Sequence, residues 1–352
     1  MYSNTLRTDA DYEALLARFN TFLFDCDGNL PRLSLPISRP EPPSFHIPPP
    51  CRFVGVLWHG NRVIPGVPEA MNLLRSKGKQ LLFVTNNSSV SRAAYSKKFA
   101  KLGIEAHVVR LLPARFPPFL PPRRHRSKLT REQDEMFSSA YAAAVYLKKV
   151  VGFPPEKKVY IIGQSGIQEE LTAEGIQHSG AGDDNENMRE MEFASLEPDP
   201  AVGAVLCGID FHINYKKYAK AHAYLTRNPG CLFLLTNNDS TFPTEIGLFP
   251  GAGAISSALV TSTGRQPDAI LGKPNQTMMD CIIARYHLDL ATTLMVGDRL
   301  DTDIDFGNRG GLATLAVLTG VTTEAEIADP SQKIRPTFVM KSWGDLAKLS
   351  EN

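Results

Sequence analysis

Short apolar runs recur along the chain, separated by stretches whose apolar positions follow helical spacing. The runs of strand length are Thr21–Phe24, Gln80–Val84, Lys158–Ile162, Ala201–Cys207, Cys231–Leu235, Ala269–Leu271, Thr293–Val296 and Thr314–Val317. Between them the pattern predicts helices over Val63–Ser76, Ser91–Leu102, Ile167–Glu174, Tyr215–Asn228, Gly253–Thr263, Gln276–Tyr286 and Asp301–Arg309. The N-terminal MYSNTLRTDADYEALLARF reads as a short amphipathic helix, not a signal peptide. Strand–helix alternation over this length predicts an α/β protein, with parallel sheets and helices on both faces.

Two segments break the rhythm. Asn29–Gly55 holds eight prolines in 27 residues, and Val109–Gln133 holds five prolines with a cluster of Arg and Lys. Neither has a periodic apolar face, so neither is expected to fold alone. The basic cluster reads as a solvated loop or as a nucleic-acid or localisation patch. The chain also carries one internal echo. LLFVTNNSSVSR (81–92) and LFLLTNNDSTFP (232–243) both end an apolar strand in Thr-Asn-Asn, and are read as two strands with similar polar ends.

Composition narrows the class. At 352 residues, 43% hydrophobic and 21% charged, the chain is long enough for two soluble domains of ordinary size. A net charge of +1 gives no general attraction to nucleic acid or an acidic membrane. The five cysteines form no C-x-x-C, which points to reduced thiols and a cytoplasmic protein, without a zinc site or disulfide framework. No apolar run approaches a membrane span.

The candidate chemistry lies just beyond the apolar runs. Asp25 and Asp27 follow TFLF, Thr85 and Asn86 follow LLFV, and Asp298 follows TLMVG. Ligands of open parallel sheets bind beyond the carboxyl ends of the strands, so these residues are expected at one edge. Three carboxylates brought together there repel one another, and a divalent cation resolves the conflict. All-oxygen ligands without His or Cys point to Mg²⁺ beside a substrate phosphate. Lys273 in ILGKPN adds a positive charge at the same edge.

Asp25-Cys26-Asp27-Gly28, Thr85-Asn86-Asn87, Gly272-Lys273-Pro274 and VGDRLDTDI (296–304) resemble the four ordered motifs of the haloacid dehalogenase superfamily. VLWHGNRVIPGVPEA (56–70), DEMFSSAYAAAVYL (134–147), GIDFHINYKK (208–217) and TGRQPDAILGKPN (263–275) narrow the resemblance. They are similar to the eukaryotic phosphoglycolate/4-nitrophenyl phosphatases and pyridoxal phosphatases. The resemblance implies a Rossmann-like core with an inserted α/β cap of the C2 type, and a homodimer formed through the cap. It also implies Mg²⁺-dependent hydrolysis of small phosphomonoesters, with phosphoglycolate as the physiological substrate and 4-nitrophenyl phosphate as an artificial one.

By the same resemblance, Asp25 is the nucleophile that forms an aspartyl-phosphate and Asp27 the general acid and base. Thr85, Asn86, Asn87 and Lys273 hold the phosphoryl group. Asp25, Asp298 and the Asp27 backbone carbonyl ligate the metal, and Asp303 orients Lys273 or a metal-bound water. His212 matches a substrate-contacting histidine of the pyridoxal phosphatases, or is an exposed cap-loop residue. About 187 residues separate Thr85 from Lys273, enough for a cap. The cap is expected at 106–240, with the core at 1–105 and 241–352.

Rival readings are a phosphotransferase or phosphomutase of the same superfamily and a dinucleotide-binding protein with the incomplete fingerprint GAGAIS (251–256). A catalytically impaired binding protein is the third, because Asn29–Gly55 interrupts the chain beside the nucleophile. Joining the flanks of both proline-rich segments restores family-like sequence. Translated intron sequence is therefore the simplest account, and genuine loop insertion the alternative.

Overall fold

In the computed structural model, which describes residues 4–26, 55–59, 62–106, 134–189, 195–244 and 247–350, the strand Thr21–Asp25 shows how the cores are divided. Side chains alternate across a strand. Phe22 and Phe24 enter one buried cluster, with Trp58, Phe83, Phe99 and Trp343. Leu23 enters another, on the opposite face. That second cluster continues without a break from Leu23 and Val84 to Val159, Leu206 and Leu234. Those three lie on strands of a second sheet, so one apolar body joins the two sheets.

The first sheet has seven strands in the order Thr5–Leu6, Phe338–Met340, Ala313–Val317, Thr293–Gly297, Thr21–Asp25, Gln80–Thr85 and Met136–Ser138. The second has five: Ala269–Ile270, Leu232–Leu235, Val202–Cys207, Lys158–Ile162 and Gln177–Gly180. Every pairing within these two sheets is parallel. Two short antiparallel hairpins complete the described strands, Trp58–His59 with Arg62–Val63 and Thr241–Thr244 with Gly247–Pro250. The α/β class expected from the alternation is the one observed.

Several boundaries differ for local reasons. The helix expected over Val63–Ser76 starts at Val67, because the hairpin strand runs to Val63 and Gly66, at φ +81°, caps the helix start. Asp301–Arg309 opens with a widened turn over Leu300–Ile304, and the regular helix is Asp305–Arg309. The N-terminal helix Asp9–Arg18 is fixed by a capping box between Thr8 and Asp11. Strands as short as Thr5–Leu6 or as polar as Gln177–Gly180 carry no apolar run, so periodicity missed them.

The expected division at 106 and 240 does not coincide with the change of sheet. Met136–Ser138 pairs with Gln80–Thr85, so this stretch extends the first sheet. At the other end, Ala269 and Ile270 pair with Leu234 and Leu235 of the second sheet. Helix Ala252–Thr263 packs there too: Ile255 and Leu259 share a cluster with Val205 and Phe233. The strands of the second sheet thus span 158–270. The proline-rich segments, apart from Gly55, lie outside the described residues. The flanks of the first converge: Cys26 and Val56 are both buried in the same cluster.

A buried charge network ties the layers together. Arg92, at the start of helix Arg92–Lys101, donates from Nε to Glu170 Oε2 at 2.8 Å and forms an ion pair with Asp134. Its backbone N–H donates to Glu170 Oε1 at 2.7 Å, and its guanidinium lies over the Tyr141 ring. Burial pushes the Asp134 carboxyl up to about 6 despite the arginine. Arg92→Met would leave two buried carboxylates without their partner, at a cost of about 3–5 kcal/mol. Urea unfolding at pH 7.5 should show that loss, and Arg92→Met combined with Glu170→Gln should recover part of it.

Candidate active site

Three neighbouring parallel strands, Thr293–Gly297, Thr21–Asp25 and Gln80–Thr85, end at the same edge of the first sheet. Asp25 is the last residue of the central strand, and Asp298 follows the strand beside it. Asp303 returns to this edge because the widened turn Leu300–Ile304 folds back over it. Asp303 Oδ2 accepts from the backbone N–H groups of Asp298 at 3.2 Å and Arg299 at 3.1 Å. One carboxylate oxygen from each of Asp25, Asp298 and Asp303 lies within 4.8 Å of the others, and all three residues are buried.

Lys273 arrives from the far side, three residues after the second-sheet strand Ala269–Ile270. Lys273 is 2% exposed, so desolvation of its charge would be costly without the partners around it. It donates to Asp25 Oδ1, to Asp303 Oδ1 at 2.9 Å and to the Val84 carbonyl at 3.2 Å. Asp298 has no such contact with the lysine. Its Oδ2 accepts from Val321 N–H at 3.0 Å. A Cβ on Gly320 would come within 2.0 Å of that oxygen, so only glycine fits there.

Among the described residues three carboxylates face one ammonium, and this imbalance shapes the site. Burial, with the like charges of Asp25 and Asp303, pushes Asp298 well above the usual carboxylate range. Burial and Asp25 also raise Asp303, although Lys273 opposes the shift. The donor set is all oxygen, anionic and tightly grouped, which suits a small hard divalent cation such as Mg²⁺. Asp25 and Asp298 fit the role of ligands. Asp303 has both oxygens already engaged and fits that of a support. Asp27, expected as general acid and as a backbone ligand, lies outside the described residues.

The predicted phosphoryl-binding residues divide. Asn86 and Asn87 line a cavity of about 380 Å³ together with Asp25, Lys273, Asp298 and Asp303. Asn86 grips the lysine backbone: its Oδ1 accepts from Lys273 N–H at 2.7 Å and its Nδ2 donates to Lys273 O at 3.0 Å. Asn87 Oδ1 accepts from Ser89 N–H at 2.8 Å and closes the turn. Thr85 does not line the cavity. It is fully buried, and its Oγ1 accepts from Asn87 N–H at 3.0 Å, which shapes the same turn from inside.

His212 is not brought to the cavity either. Asp210 Oδ1 accepts from His212 N–H, while Asp210 Oδ2 binds the fully buried Lys217 ammonium at 2.6 Å. That turn leaves Phe211 and His212 in solvent. The cavity wall instead takes Ile209, Phe242 and Leu248 from the second-sheet unit, together with Asn237, Asp239 and Arg299. The sequence held a signal for two of these. Asn237 and Asp239 belong to the second Thr-Asn-Asn stretch, whose likeness to the first was visible but given no role. The GAGAIS glycines stand at the end of an antiparallel hairpin and the start of its helix, not after a parallel strand, so the dinucleotide reading lapses.

Comparison with known proteins accords with this geometry. A haloacid dehalogenase-like hydrolase family model matches residues 53–177, and a HAD-hydrolase-like model matches 270–346. The 4-nitrophenylphosphatase of Schizosaccharomyces pombe is 40% identical over 349 residues, covering 98% of each chain. Phosphoglycolate phosphatase 2 of Arabidopsis thaliana is 38% identical over 99% of this chain and 98% of its own. The crystal structure of a 4-nitrophenylphosphatase from Thermotoga maritima superposes with a TM-score of 0.67 at 25% identity, over 95% of this chain and 98% of that one. The chain belongs to the haloacid dehalogenase-like hydrolases, and within that family it groups with the phosphatases.

Proposed function

We propose that the protein is a Mg²⁺-dependent phosphomonoester hydrolase that works through an aspartyl-phosphate. The observation that carries this reading is the buried group of Asp25, Asp298 and Asp303 around Lys273 at the carboxyl ends of adjacent parallel strands. Asp25 attacks phosphorus, forming its O–P bond as the bond to the leaving oxygen breaks. Asp27 gives the proton to that oxygen, then takes one from the water that splits the acyl phosphate. Inorganic phosphate leaves and the Asp25 carboxylate is restored. Lys273 and the Asn86–Asn87 turn hold the phosphoryl oxygens and stabilise charge in the transition state. A bound Mg²⁺ supplies positive charge that lets an anionic nucleophile meet an anionic phosphate.

The reading extends to small phosphorylated metabolites, with phosphoglycolate first, because a cavity of this size admits a small ester. The second sheet, with strands over 158–270, is the cap in this proposal, and the first sheet is the core. Exposed Phe211, Tyr215, Leu248 and Phe249 support assembly of a homodimer through the cap. Cytoplasmic residence accords with the four free cysteines of the described residues. No helix among the described residues is long and apolar enough to cross a membrane.

Asp25→Asn removes the attacking carboxylate while keeping its shape, and should abolish phosphate release from 4-nitrophenyl phosphate. Wild-type turnover in that variant, purified free of other phosphatases, would sink the nucleophile assignment. Asp27→Asn should lower turnover by about 10²–10⁴-fold, read in the same assay.

Mg²⁺ should also act on stability. A ligand present at about 100 times its Kd stabilises by about 2.7 kcal/mol, so Mg²⁺ should raise the melting midpoint of EDTA-treated protein. Asp298→Asn should lose most of that rise, and activity should fall with EDTA. Equal rises in both proteins would place the cation elsewhere.

A further inference from the structure

The two Thr-Asn-Asn stretches, distant in sequence and on different sheets, meet. Ser88 Oγ and Thr236 Oγ1 are 3.2 Å apart. Asn237 Nδ2 donates to the Asn86 carbonyl at 2.9 Å, and Asn86 Nδ2 donates to Asp239 Oδ2 at 3.1 Å. Asn237 Oδ1 accepts from Asp239 N–H at 3.1 Å, holding the second turn in its own shape. The backbone of this turn is pinned as well. Gly253 N–H donates to Asp239 O at 2.9 Å, and a Cβ on Gly253 would lie 2.3 Å from Asn238 O. One role of the GAGAIS glycines is therefore to let the helix start press against this turn.

The contacts form a relay. Asp239 and Asn237 engage Asn86, Asn86 holds both backbone groups of Lys273, and the Lys273 ammonium bridges Asp25 and Asp303. The amide of Asn86 has two donor hydrogens and one acceptor oxygen to place. Lys273 O and Asp239 take the donors, and Lys273 N–H takes the acceptor. Without Asp239 the amide would keep its two bonds to the Lys273 backbone but lose the contact that fixes it from the second-sheet side. A side chain held from both sides has less room to shift, and so has the lysine backbone it grips.

The geometry points to Asp239, assisted by Asn237, as a positioning residue for Lys273. Through it the second-sheet unit sets the placement of a cation in the reacting site. Neither residue touches the reacting atoms in this account. Each acts through Asn86, and the ammonium is correctly placed only while the two turns are seated against each other. The inference rests on the reading of Lys273 as the phosphoryl-binding cation.

The test uses the full-length chain carrying Asp239→Ala or Asp239→Asn, with two readouts. The first is steady-state kinetics with 4-nitrophenyl phosphate and Mg²⁺. The second is amide hydrogen exchange at residues 271–275 in EDTA, which needs neither metal nor substrate. Asp239→Ala should lower kcat about 10–100-fold with a smaller change in KM, because small misplacements act steeply on rate. It should also speed exchange at 271–275 while peptides from the first-sheet strands keep their protection. Asp239→Asn retains an acceptor oxygen and should restore both to within about threefold. Asn237→Ser spares Asp239 and should give the same pattern more weakly, which keeps the test open if Asp239→Ala does not fold. Unchanged exchange at 271–275 in both Asp239→Ala and Asn237→Ser would overturn the relay, as would Asp239→Asn behaving like Asp239→Ala. Faster exchange with unchanged kcat would keep the grip on the backbone and refute the role of Lys273 itself.

Discussion

The site depends on one buried ammonium. Lys273 is almost wholly shielded from water, and it lies between two carboxylates that are equally shielded. Burying either sign alone would cost several kcal/mol, so each is tolerable only through the other. The pairing also explains where the remaining charge falls. Asp298 makes no hydrogen bond to the lysine, and burial, with the two neighbouring anions, raises its proton affinity. This imbalance is what the proposed cation would offset.

The ammonium is carried by a loop that belongs to the second sheet by strand pairing and to the first by its contacts. Ala269–Ile270 pairs with Leu232–Leu235, and three residues later Lys273 reaches the first-sheet edge. The lysine is therefore placed by how the sheets pack. The continuous apolar cluster running from Leu23 through Val84 to Leu206 and Leu234 provides that packing. Arg92 adds a polar tie, since its partners Glu170 and Asp134 come from different parts of the chain. Close contact between the Thr-Asn-Asn turns then converts packing into position at the scale of a hydrogen bond.

The proline-rich segment beside Asp25 has ordered flanks among the described residues. Cys26 and Val56 are buried in one cluster, and Thr319 Oγ1 donates to the Gly55 carbonyl at 3.0 Å. Thr21–Phe24 pair with the strands on both sides, and Asp25 pairs with Val84.

By itself the sequence determined the α/β class, the order of most strands and helices, and the acids and lysine that gather at the active edge. These were legible because they depend on local periodicity and on a rule of parallel sheets, that strand ends carry ligands. Asp25, Asn86, Lys273 and Asp298 each stand next to an apolar run that announces its place. Only the tertiary structure decided the rest. It assigned Met136–Ser138 to the first sheet and Ala269–Ile270 to the second, because strand partners are chosen by packing across long separations and leave no local trace. It turned Thr85 inward and left His212 in solvent, through turns fixed by side-chain to backbone bonds. It also gave the repeated Thr-Asn-Asn its meaning, because two similar strand ends become one device only when packing sets them face to face.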